Sequence, residues 1–71
     1  MKFLVIIEEG PTSFGAYVPD LPGCVAVGTT RDEVVMFIQE AIAFHLEEMK
    51  ADGKPMPHPN SSAMSVDVTV A

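Results

Sequence analysis

The segment from Thr30 to Pro55 constrains this chain more than any other. Thr30-Arg31-Asp32-Glu33 sets a threonine three residues before a glutamate, the spacing of a capping box at a helix start. Asp32 and Glu33 also sit at the positive end of the helix dipole. At the far end, Gly53 suits the left-handed residue that follows a helix, and Pro55 blocks continuation. With 71 residues there is room for one domain, spanning 1–71, built from this helix and whatever flanks it.

The flanks read as strands. Phe3 to Ile7 is apolar at both alternating sets of positions, the signature of a central strand. Glu9-Gly10-Pro11-Thr12-Ser13 is turn chemistry, and Phe14 to Val18 follows as a second strand. So short a connection implies an antiparallel hairpin. Cys24 to Gly28 reads as a short third strand. Past the helix, the alternating prolines of Lys54 to Pro59 favour an extended linker. Met64, Val66, Val68 and Val70 then alternate with Ser65, Asp67 and Thr69, a strand with one dry face. The helix becomes a crossover, so this last strand should run parallel to the first. The predicted fold is α+β, in the order β-β-β-α-β. A three-stranded antiparallel meander carries one helix, and a fourth strand gives the sheet order 3-2-1-4.

At about 100° per residue, Val34, Ile38, Ala41, Ile42, His45 and Met49 share one helix face, with Val35 and Leu46 at its edge. That face should cover the sheet. Phe37 and Phe44 form a flanking ridge, and Met36 lies further round among Gln39, Glu40 and Glu47. The ridge either wraps a sheet edge or meets another chain. A chain this short buries only about 60% of its unfolded surface when it folds alone. Yet 48% of its residues are hydrophobic. The surplus favours a homodimer or larger assembly, formed through Phe37, Phe44 and Met36 or through an exposed strand edge.

Four basic residues against ten acidic ones give a net charge of −6, which argues against direct DNA or RNA binding. It suits a basic protein partner, and it also suits plain solubility. The opening apolar run, Phe3 to Ile7, is followed at once by Glu8-Glu9. It is shorter than the roughly 7–15 residues of a secretory core and far short of the ~20 of a membrane span. The sequence therefore reads as a cytoplasmic protein with a reduced thiol.

Little points to chemistry. Cys24 has no base at a telling spacing: His45 lies on the apolar helix face and His58 in the proline linker. Cys24 reads as a small buried strand residue, and His45 as a core or rim residue. No metal site and no cofactor are implied, since two histidines and a cysteine lack ligand spacing. Glu8, Glu9, Glu40 and Asp67 could be nominated for a two-metal nuclease, but nothing gathers them. Between strands two and three, Leu21-Pro22-Gly23-Cys24 fits a type II turn with glycine at the positive-φ position. Tyr17, Asp20 and Leu21 near this turn are candidate partner contacts, Asp20 as an exposed acid and Leu21 as a projecting apolar tip.

Three stretches together carry a family pattern. They are Pro19-Asp20-Leu21-Pro22-Gly23-Cys24, Gly28-Thr29-Thr30 with Glu33, and the helix exit Asp52-Gly53-Lys54-Pro55-Met56-Pro57. In this order and spacing the chain resembles the HicB-like antitoxin family from Lys2 to about Val70. The resemblance implies a partial ribonuclease-H-like sheet and a non-enzymatic role. Such a protein would bind and mask a small basic HicA-type toxin that cleaves messenger RNA. Many family members carry a further C-terminal DNA-binding domain, which has no counterpart before Ala71, so operator binding by this chain is not expected. Two other readings stand beside this one. One is a self-associating HicB-like domain without a toxin, and the other is a ribonuclease-H-type nuclease.

Overall fold

The computed structural model describes residues 1–71. Three strands, β1 (Ile6–Glu9), β2 (Phe14–Tyr17) and β3 (Val25–Gly28), precede one helix, α1 (Arg31–Ala51). The sheet order is β1-β2-β3, antiparallel throughout. Gly10 N–H donates to the Ser13 carbonyl at 2.8 Å and closes the first hairpin around Pro11-Thr12.

The β2–β3 connection is a double turn. Leu21 N–H donates to the Val18 carbonyl at 3.0 Å, and Cys24 N–H donates to the Leu21 carbonyl at 3.0 Å. Gly23, with φ of 84°, takes the positive-φ position of the predicted type II turn. Leu21 closes one turn and opens the next, so its side chain is carried inward. It is 1% exposed, within a core of Ala16, Val18, Cys24, Val34 and Ile38. The sequence reading of Leu21 as a projecting tip is thus corrected.

The helix begins where its chemistry dictates. Thr30 Oγ1 accepts from Glu33 N–H at 3.1 Å. Glu33 reaches one residue further back than an ordinary capping box, since its carboxylate accepts from the N–H of Thr29 at 2.8 Å and from its hydroxyl at 3.1 Å. At the other end, Gly53 has φ of 71° and Lys54 N–H donates to the Met49 carbonyl at 2.9 Å, a Schellman closure. The helix lies over β3 and β2, with β1 at the margin of the covered face. Its inward face matches the predicted stripe: Val34 and Ile38 are buried, while Ala41, Ile42 and Leu46 pack around them. A Cβ at Gly28 would stand 2.8 Å from the Val34 backbone nitrogen, so the strand–helix junction requires glycine there.

Two expectations for the sheet change. The first strand was predicted at Phe3 to Ile7, but the ladder runs from Ile6 to Glu9. The reason lies in its neighbour: β2 ends at Tyr17, opposite Ile6, and turns away. Phe3 and Val5 pack against the core without a ladder partner. The second change is the fourth strand. Residues 52–71 carry no strand, and every residue from Ser62 onward is exposed. A lone segment has no ladder to satisfy its backbone groups, so its alternating pattern alone cannot make it a strand.

Candidate protein-binding surfaces

Strand alternation sorts the sheet into two faces. Ala16 pairs with Ala26 and with Ile7, and this set faces the helix. The opposite set forms two rows across the strands: Ile6, Tyr17 and Val25, then Glu8, Gly15 and Val27. No element covers this second face. Tyr17 is 41% exposed, and Val25 and Val27 are more open still. The result is an apolar strip with one acid on it, bounded by a sheet edge. An exposed aromatic among β-branched residues is typical of a surface that awaits another protein.

Sequence reasoning named Tyr17 here but missed Val25, Val27 and Ile6. Their signal was present, since Val25 and Val27 alternate with Ala26 and Gly28. It could be read only once the helix was known to sit on the small-residue side.

A second surface lies on the helix. Phe37 and Phe44 lie roughly 10 Å apart along the axis at ~1.5 Å per residue. Glu33, Glu40 and Glu47 fall on the same flank. Phe44 is 63% exposed, and Met36 is also exposed. This apolar flank is therefore open to solvent.

Asp20 is placed unexpectedly. Its carboxylate accepts from the N–H of Asn60 and of Ser61, each at 3.1 Å, and from the Ser61 hydroxyl at 2.8 Å. These bonds hold its carboxyl below the ordinary value, the Ser61 backbone contributing most. Asp20 thus pins the linker to the double turn instead of projecting. No sequence signal could have joined residues 40 positions apart.

The groups considered for chemistry do not assemble. Cys24 is buried, and burial pushes its thiol above its ordinary value, the reverse of nucleophile activation. Glu8 and Glu9 fall on opposite sheet faces, and Asp67 lies outside the sheet. No three of the His, Cys, Asp and Glu side chains stand together as a metal-binding group. No helix is long and apolar enough to cross a membrane.

What this architecture defines is an acidic α+β module with an uncovered apolar sheet face and an exposed apolar helix flank. Residues 3–69 match the HicB-like antitoxin family of bacterial toxin–antitoxin systems, and the chain belongs to that family. It is 37% identical over 60 residues to an uncharacterised 14.9 kDa protein from the rep-hol intergenic region of Haemophilus phage HP1, covering 84% of this chain and 45% of that protein. It is 34% identical over 67 residues to the UPF0150 protein Ta0767 of Thermoplasma acidophilum, covering 93% and 97% of the two chains. A UPF0150 protein of Helicobacter pylori is 38% identical over 52 residues, covering 73% and 72%. The chain therefore spans less than half of the phage relative but nearly all of the archaeal one. No solved structure matches it.

Proposed function

We propose that this protein is a non-catalytic antitoxin module that binds and neutralises a small basic toxin of the HicA type. The observation that carries the proposal is the uncovered sheet face of Ile6, Tyr17, Val25 and Val27 in a family member of net charge −6. An apolar strip supplies contact area, and the surrounding acidity attracts a partner evolved to hold RNA. In this reading Tyr17 is the central anchor. Asp20 and Leu21 support it from within, one pinning the linker and the other filling the core beneath. Phe37, Phe44 and Met36 add a helix contact between two copies of the module, too weak to pair them alone. A four-stranded, partial ribonuclease-H-like sheet belongs to the same proposal, with residues 64–70 as its last strand. The module acts in the cytoplasm, where such a toxin meets messenger RNA.

The test is co-expression with the small open reading frame beside the gene, followed by size exclusion and titration. A small basic protein should co-elute. Tyr17→Ala should weaken binding by about 2 kcal/mol, roughly 30-fold, as expected for a buried aromatic anchor. Phe37→Asp should lower self-association and leave toxin affinity within about threefold. If no basic partner co-elutes while self-association persists, the solitary-domain reading replaces this one.

A further inference from the structure

The chain on its own is incomplete, as three related quantities show. Its radius of gyration is 14.5 Å, against about 11 Å for a compact domain of this length. Its longest dimension is 53 Å, well beyond the ~32 Å of a 21-residue helix. It also makes 33 backbone–backbone hydrogen bonds and six that involve side chains. That is about half of the roughly one per residue of a folded domain.

Two unpartnered features match each other. The outer edge of β1 is a free sheet edge, extended toward the N-terminus by Phe3, Leu4 and Val5, which are half-buried but not in the ladder. Residues Met64 to Val70 are the converse, a segment with strand periodicity and no sheet. Its four alternating apolar residues are 66–86% exposed. The lengths agree, since seven residues can span Phe3 to Glu9. A free apolar edge and a free apolar strand are mutual templates.

We infer that residues 64–70 of one copy add a fourth strand to the β1 edge of a second copy and receive the same in return. What favours the second copy over the chain's own edge is that the segment, although Asp20 holds Ser61 at the double turn, joins no ladder of its own sheet and is exposed from Ser62 onward. Ser62 and Ala63 then act as the hinge. The exchange is reciprocal, so a twofold dimer closes and leaves no spare strand to recruit a third copy. This inference sharpens the four-stranded sheet proposed above and is independent of any toxin.

The experiment is sedimentation equilibrium with amide hydrogen exchange on the full chain and on a Val66→Asp/Val68→Asp variant. The wild-type chain should sediment at twice its 7.6 kDa mass, with slow exchange at Leu4 to Ile7 and at 65–69. The variant should sediment as a monomer, lose protection at both segments, and keep its helical circular dichroism, because the altered residues lie outside α1 and the three strands. A monomeric wild-type chain with protected β1 amides would mean that the segment folds back on its own sheet, and would overturn the inference. A dimer whose β1 and 65–69 amides exchange freely would place association elsewhere and overturn it equally. Sedimentation and hydrogen exchange on the wild-type chain together decide the matter if the variant fails to fold. Loss of toxin binding with these outcomes intact would count only against the antitoxin reading.

Discussion

Asp20 shows how one side chain can set the path of a chain. A carboxylate that accepts three hydrogen bonds is favoured in its charged form, so its contribution to stability is fully present above the ordinary carboxylate value of 3.8. Because the folded value is lowered, that contribution is lost only as pH falls through a point below 3.8. A titration followed at the Ser61 amide should therefore show its midpoint below that value, and Asp20→Asn should abolish the transition. Gly28 sets a different kind of limit. Its missing side chain leaves room for the helix backbone, so Gly28→Ala should destabilise the fold by about 1–3 kcal/mol in chemical denaturation. Leu21→Ala removes one of few buried side chains and should cost about 2–5 kcal/mol, enough to unfold most of the population of so small a domain.

Among the elements, the helix was the most legible. Both its ends were written locally, in Thr30 and Glu33 and in Gly53 and Pro55, and local chemistry survives without tertiary context. Thr30→Ala should cost about 1 kcal/mol, measured as a drop in unfolding free energy with no change in slope. The hairpins and the type II turn were legible for the same reason. The limits of β1 were not, because a ladder ends where the neighbour ends, and Tyr17 to Val18 turns away for reasons that lie in Leu21. Leu21 itself was misread as exposed: a Leu-Pro-Gly-Cys turn specifies backbone shape but not which way the loop as a whole tips. The segment 64–70 was read as a fourth strand, and the chain shows none there. Periodicity says only that a strand would have one dry face, not that a ladder exists to receive it. The uncovered sheet face was half legible. Tyr17 stood out as an aromatic, while Val25 and Val27 needed the helix placed before their side of the sheet could be known to be bare.

At the scale of the whole molecule, seven of 71 residues are buried, which is a thin core for a folded chain. In the proposed assembly much of the stabilising burial comes from association, and association obeys mass action. The apparent melting temperature should rise with protein concentration, and a scan from 1 to 100 µM should resolve a shift of several degrees. A midpoint independent of concentration would contradict this. That thin core also bears on lifetime. Cleavage by a protease follows the population of opened chains when reclosing is fast. If the proposed assembly forms, a module completed by its neighbours is opened more often when it is scarce, so the chance that any one copy is cleaved rises as its concentration falls. Once synthesis stops, the fraction of remaining copies lost per unit time then grows instead of staying constant.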